Sequence, residues 1–245
     1  DQLTGLFKAT AESMLVIVGW VLWVAPIGVF ALALVVGARV GIGAAGALAH
    51  YVLLVSAVLI LMTLLVYPLV MVFGRQRFVP FVRALIPPQV VAISTQSSLA
   101  TLPAMIEAAD RLGVDERARG LVLPLAVSLF RATSPCGNMA VAMYIAHVFG
   151  VELTLPQIFA GIAVAALVSV GAVGIASAVT FFALLGPICM VMGLPLQLLP
   201  LLLAVETIPD IFRTVGNVTA DVGVTRIVAR HGEEADGPET EATLP

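Results

Sequence analysis

The chain alternates long apolar runs with short polar breaks. A helix that crosses the hydrocarbon core of a bilayer needs about 20 apolar residues, so run length predicts the spans. MLVIVGWVLWVAPIGVFALALVVG, residues 14–37, meets that length with Pro26 as an expected kink, and ALAHYVLLVSAVLILMTLLVYPLVMVFG, residues 47–74, meets it again. LIPPQVVAISTQSSLATLPAMIEAAD, residues 85–110, is too polar for a lipid-facing helix and is interrupted by Pro87–Pro88 and by Ser97–Ser98. Non-helical backbone at membrane depth is tolerated only where protein or a cavity surrounds it, which predicts a re-entrant hairpin with its tip near QSSLAT. Residues 119–150 are apolar again but carry Arg131, Thr133, Ser134 and Pro135 in their middle, the pattern of a discontinuous helix. Residues 155–194 run about twice the length of one span. They cross twice or enter and return, and the small-residue segment GAVGIASA, 171–178, supplies the turn.

The last predicted helix, about 196–229, carries ETIPDIFRTVGNVTAD. Counted from Asp210, its polar residues Arg213, Thr214, Asn217 and Asp221 fall at offsets 3, 4, 7 and 11, which share one helix face. Glu206 stands one turn earlier on the same stripe. Ile208, Ile211, Phe212, Val215, Val218 and Val222 form the other face. A soluble amphipathic helix has the same pattern, so the surrounding composition decides its solvent.

That composition is 60% hydrophobic and 11% charged, with a mean hydropathy of +1.10. An ordinary soluble domain has about 25% charged residues, so this chain reads as an integral membrane protein. The net charge of −3 gives no reason to invoke nucleic acid. Much of the acid lies in HGEEADGPETEATLP, residues 231–245, a tail with little to bury and an expectation of disorder. Cys136 and Cys189 sit in apolar surroundings and read as small core hydrophobes. The chain opens on DQLTGLFKAT, without an initiator Met or a signal-peptide pattern, and reads as a piece of a longer protein.

Positive charge orients the spans, because Lys and Arg favour the cytoplasmic side of short loops. Arg75, Arg77 and Arg83 precede the first predicted hairpin, and Arg111, Arg117 and Arg119 follow it. A full crossing by residues 85–110 separates these two basic loops; re-entry places both inside. Return of residues 155–194 from the far side then brings Arg226 and Arg230 inside and leaves Arg39 outside. Two hairpins entering from opposite faces, each followed by a helix with polar residues at mid-depth, make an inverted repeat. Secondary transporters place substrate and ions at the interface of such repeats.

TQSSLATLP (95–103) resembles the serine-rich first-hairpin signature of the dicarboxylate/amino acid:cation symporter family, the family of archaeal aspartate and mammalian glutamate transporters. WVAPIGVFALA (23–33), GLPL (193–196) and DIFRTVGNVTAD (210–221) match it in the same order, so the resemblance covers nearly the whole chain. It implies an all-α integral membrane fold: an inverted-repeat, elevator-type transporter core with two re-entrant helical hairpins. Residues 1–46 are then a scaffold-like helix and 47–230 the transport core, comprising helix 47–74, first hairpin 79–112, broken helix 119–150, second hairpin 155–194 and last helix 196–230. The family's earlier helices, which build most of a trimeric scaffold, are missing from this chain, so a homotrimer is expected only through them. The implied localisation is the cell (inner) membrane, multi-pass, with a cytoplasmic C-terminus.

The resemblance also implies roles for single residues. Asp210 meets a substrate amino group, and Arg213 clamps a side-chain carboxylate with its bidentate fork. Thr214 and Asn217 continue the substrate site, and Ser97 and Ser98 at the first hairpin tip contact the other carboxylate. Asp221 occupies a sodium-ligand position. A second hairpin tip with Gly171, Gly174, Ile175, Ala176 and Ser177 forms the gate, although GAVGIASA departs from the family's GVPG-like turn. The larger departure is FRATS (130–134), which stands against the family's NMDGT. Phe130 and Ala132 replace two side chains that supply oxygen, and Arg131 adds a positive charge. Hard cations need oxygen ligands, so at least one sodium site is expected to be gone.

Arg131 then acts as a tethered cation in place of bound sodium, or pairs structurally with Asp221; Glu206 and the substrate are its other candidate partners. An intramembrane Arg costs at least about 2.5–3.5 kcal/mol on insertion scales and needs such a partner. Asp221, Asn217, Ser128, Arg131 and Glu206 are therefore the candidate coupling or ion residues, with sodium, protons or no ion as the coupling species and no other cofactor. Glu206 reads either as a proton carrier or as the partner of a nearby Arg. His50 and His147, near span ends, read as interfacial residues. The expected partners are a small anionic substrate and membrane lipid, and the expected function is symport of an acidic amino acid or a C4-type dicarboxylate. A passive anion channel uses the same cationic residues. An intramembrane hydrolase finds no support, because neither G-x-S-x-G nor H-E-x-x-H is present.

Overall fold

The computed structural model describes the backbone of residues 2–171 and 178–236, and side chains from 46 to 170, from 180 to 232 and at isolated positions of the first helix. Among these residues all regular structure is helical: α1 (Gln2–Phe73), α2 (Phe78–Thr95), α3 (Ser98–Arg111), α4 (Glu116–Leu129), α5 (Ser134–Phe149), α6 (Leu155–Gly171), α7 (Ala178–Met192), α8 (Leu199–Leu203) and α9 (Thr207–Asp236). Three described stretches are long and apolar enough to cross a membrane: Gly46–Phe73, Phe78–Thr95 and Glu116–Phe149.

The chain packs as two halves strung on α1 and α9, which lie against each other. In one half, Val70 of α1 packs with Phe81 and Leu85 of α2, Met105 of α3, Leu123 of α4 and Val222 of α9. In the other, Tyr51, Val55 and Leu59 of α1 meet Val141 and Ile145 of α5 and Leu185 and Ile188 of α7. Each half contains an adjacent helix pair, α2–α3 or α6–α7. The outer surface is apolar, with Leu53, Leu167 and Met190 more than 70% exposed, whereas Asn217 and Asp221 are 1% exposed. This inverts the soluble pattern and suits a hydrocarbon solvent.

Close approach of α9 depends on glycine. A Cβ on Gly216 would lie 2.6 Å from both Thr133 Cγ2 and Thr63 Oγ1, and one on Gly223 would lie 2.6 Å from Val70 Cγ2. Gly216→Val should therefore push α9 off both α1 and the start of α5. Overpacking of this kind costs about 1–3 kcal/mol, read as a lower midpoint of thermal unfolding. Gly232→Ala, where nothing stands within 4 Å, should leave the midpoint unchanged.

Four boundaries differ from the sequence expectations. α1 is continuous where two spans were expected, because ARVGIGAAG contains no proline and each glycine costs only about 1 kcal/mol relative to alanine. Pro87 and Pro88 lie inside α2 and do not interrupt it, and Pro88 is buried. Membrane helices tolerate interior proline because neighbouring groups re-satisfy the freed carbonyls. The last helix does not begin near residue 196: short α8 is followed by a turn at 204–206, and α9 starts afresh at Thr207. Pro209 has no N–H to continue a helix from α8 but fits the first turn of a new one, where amides lack intrahelical partners. At its far end α9 runs on to Asp236, so the first part of the acidic tail is helical; residues 237–245 lie outside the described residues.

The predicted interruption of the third segment is present. α4 ends at Leu129 and α5 begins at Ser134, with Phe130–Thr133 between them. α2 and α3 likewise meet at a short turn, where Gln96 takes a left-handed conformation (φ 50°).

Candidate functional site

The polar stripe of α9 faces the protein interior. Arg213, 7% exposed, donates from Nη2 to Glu206 Oε1 at 2.7 Å and from Nη1 to Asp210 Oδ1 at 2.9 Å. Glu206 is buried in the turn that precedes α9, not on the helix itself, and the Asp210 amide donates to its backbone carbonyl at 2.9 Å. Its second carboxylate oxygen, Oε2, accepts a hydrogen bond from the hydroxyl of Tyr51 on α1. Tyr51 is fully buried and meets the Tyr144 ring edge-on at 5.2 Å; the Tyr144 hydroxyl donates to the Ala47 carbonyl at 2.6 Å. Asp210 keeps the more exposed carboxylate, with 22% of its side-chain surface open. On α5, Gly137 makes room for the guanidinium, since a Cβ there would lie 3.2 Å from Arg213 Nε and 2.9 Å from Leu59 Cδ2.

One turn further along, Asn217 is fastened to the break between α4 and α5. Its Oδ1 accepts from the Thr133 amide at 3.0 Å and from Thr133 Oγ1 at 2.8 Å, and its Nδ2 donates to Ser134 Oγ at 3.1 Å. Thr133 Oγ1 also lies 2.9 Å from the Arg213 carbonyl, so one hydroxyl is shared between two acceptors on α9. Asn217→Ala should release the Thr133 amide and Ser134 together. A buried amide left without its acceptor costs about 1–3 kcal/mol, so the variant should unfold at a lower temperature. Asn217→Asp, which keeps the acceptor oxygen, should retain part of that stability.

Asp221 has a different environment. Both of its carboxylate oxygens are buried, and no described donor reaches either of them, although Thr225 Oγ1 donates to its backbone carbonyl at 2.7 Å. Arg131, in the α4–α5 break, interacts electrostatically with Asp221, with Asp210 and with Arg213. The expected facing of Arg131 and Asp221 is thus an electrostatic relation, and Glu206 is paired with Arg213.

The remaining candidates are placed less centrally. Thr214 Oγ1 donates back to the Asp210 carbonyl at 2.9 Å. Ser97 caps α3, accepting from the Ala100 amide at 3.2 Å, and Ser98 is buried in the first turn of that helix, which packs against α9. Ser128 is exposed and donates to the Pro124 carbonyl at 2.7 Å. Gly171 ends α6, and Gly174, Ile175, Ala176 and Ser177 lie outside the described residues. His50 and His147 are both exposed. Sequence reasoning missed Tyr51: a phenol in the run AHYVLLV is a visible signal, because a buried hydroxyl in a membrane segment needs an acceptor.

A helical, lipid-facing exterior around an inward stripe of Asp, Glu and Arg defines an integral membrane protein with a buried charged centre. Residues 1–231 match the profile of the sodium:dicarboxylate symporter family. The chain belongs to this family. It is 32% identical over 229 residues to Neutral amino acid transporter A of Homo sapiens, covering 90% of this chain and 42% of that protein. It is 33% identical over 253 residues to Excitatory amino acid transporter 4 of Mus musculus, covering 99% and 44%. With the Proton/glutamate-aspartate symporter of Escherichia coli (strain K12) it shares 28% identity over 236 residues, covering 96% and 54%. The chain thus spans about half the length of these relatives, all of which are transporters by name.

Proposed function

We propose that this chain carries most of the transport core of a secondary active transporter for an acidic amino acid or a C4-type dicarboxylate, with altered or reduced sodium coupling. The observation that carries the reading is Arg213: a guanidinium held at the buried heart of α9, paired through its outer nitrogens with Glu206 and Asp210. Intramembrane charge of this kind is expensive and marks a substrate path. One relative bears a name that specifies acidic amino acids, the Proton/glutamate-aspartate symporter. In this reading the helix pairs α2–α3 and α6–α7 are the re-entrant hairpins of an inverted repeat. Ser97 and Ser98 meet one substrate carboxylate, Arg213 the other, and Asp210 the ammonium group. The loaded core moves as an elevator against a trimeric scaffold supplied by the part of the protein outside this chain. The protein sits in the cell membrane with its C-terminus in the cytoplasm.

Reduced sodium coupling is supported by the donor set around Asp221. Phe130 and Ala132 offer no side-chain oxygen, and the Asn217 oxygen is occupied by Thr133. A hard cation needs several oxygen ligands, while Arg131 already supplies positive charge to Asp221. The test is a thermal-shift and calorimetric screen of aspartate, glutamate, succinate and malate on the full-length protein, each with and without sodium. At least one of the four should stabilise and bind without sodium. Stabilisation by none of the four would overturn the substrate class.

A further inference from the structure

Arg213 has two internal partners, and they are not equivalent. Asp210 lies one helical turn away on α9 with part of its carboxylate open. Glu206 is buried, lies in the turn before α9, and divides its two oxygens between different helices: Oε1 takes Arg213 Nη2 and Oε2 takes Tyr51. Arg213 Nε is buried beside Gly137, so the edge of the guanidinium that Glu206 and Asp210 already hold is the one an incoming carboxylate would meet. Any anionic ligand of Arg213 therefore has to displace or share with the chain's own anions.

We propose that Glu206 is a built-in competitor for the substrate carboxylate, and that Tyr51 is the positioning residue that sets how strongly it competes. The inference rests on the reading of Arg213 as the substrate clamp. Glu206 keeps the guanidinium paired when the site is empty, since a buried charge that loses its partner is strongly destabilising. Tyr51 holds one carboxylate oxygen away from the arginine and so keeps the internal pair single-pronged. A carboxylate that brings both oxygens to an arginine binds more strongly than one that brings a single oxygen. Without the phenol, Oε2 is free to join Oε1 on the guanidinium, and the substrate faces a tighter rival.

The experiment measures calorimetric Kd for succinate and for aspartate, and transport KM and kcat, in the full-length protein carrying Y51F, E206Q, both together, and E206D. Glu206→Gln keeps the shape and an acceptor for Arg213 but removes the competing charge. Kd should fall about 10-fold or more, the size of one close charge interaction, with KM and kcat falling together as release slows. Tyr51→Phe should raise Kd about 5-fold where residue 206 is Glu, and leave it unchanged in the E206Q background, as expected for two groups in one network. Glu206→Asp, whose carboxylate is one methylene shorter and so stands farther from Arg213, guards against a folding defect and should also lower Kd. An unchanged or raised Kd in both Glu206 variants overturns the competition, and an equal effect of Y51F in both backgrounds reduces Tyr51 to a structural residue. Arg213→Ala separates this inference from the one beneath it. If that variant loses binding while the Glu206 variants leave Kd unchanged, only the competition fails; if it binds succinate as the native protein does, the clamp itself fails.

Discussion

Replacing Arg213 by alanine should abolish binding of aspartate and succinate within the measurable range, a loss of at least about 30-fold. Truncating one member of a buried, hydrogen-bonded charge pair costs about 2–5 kcal/mol in the interactions where it has been measured. The same change strands Glu206 and Asp210, which Arg213 now neutralises, so stability should fall too. Arg213→Lys separates the two effects. A lysine keeps the charge beside Glu206 and Asp210 but lacks the planar fork, so the protein should stay folded while ligand binding weakens. Calorimetry with a parallel unfolding curve reads both quantities. Intact dicarboxylate binding in the alanine variant would mean that α9 does not hold the substrate.

The second large effect concerns the ion. Uptake into proteoliposomes should persist when sodium is replaced by choline, because the family resemblance sets Phe130 and Ala132 of the α4–α5 break against side chains that supply oxygen, and Arg131 adds a positive charge there. Converting these three positions together, Phe130→Asn, Arg131→Met and Ala132→Asp, should make uptake sodium-dependent. The rate in choline should drop about tenfold or more, as expected when a site worth at least about 1.4 kcal/mol must be filled before the substrate is held. The exchange is confined to these residues because Thr133 and Ser134 fasten the break to Asn217 and have to stay. Steep sodium dependence in the native protein would reverse the interpretation of Arg131.

The sequence carried most of this site, though unevenly. The offsets from Asp210 to Asp221 grouped the polar residues correctly, because a helix enforces which residues share a face, but Val218 and Val222 of the apolar face are as deeply buried as Asn217 and Asp221, so α9 is enclosed on both sides. The break at FRATS was equally legible from a charged and a proline-flanked interruption within an apolar run. The partners of the stripe were less so. Nothing in the spacing ties Glu206 to Tyr51, which is 155 positions away, or Asn217 to Thr133, which is 84 away. Such pairings are set by helix packing, and Gly137 and Gly216 matter there for the side chains they lack. Pro87–Pro88 misled for a local reason: proline reports a missing amide donor, and the consequence of that loss depends on neighbours which the sequence does not identify. The turn before α9 is the converse case, in which Pro209 marked a restart that the apolar run around it concealed.

Thr133 gives the site a mechanical property. Its hydroxyl bridges the Arg213 carbonyl and the Asn217 side chain, so the irregular segment between α4 and α5 is bolted to the backbone from which the arginine projects. A shift of that segment by any occupant, whether a cation or the tethered charge of Arg131, is therefore also a shift in the root of the guanidinium. The two act as one lever with its fulcrum at a threonine.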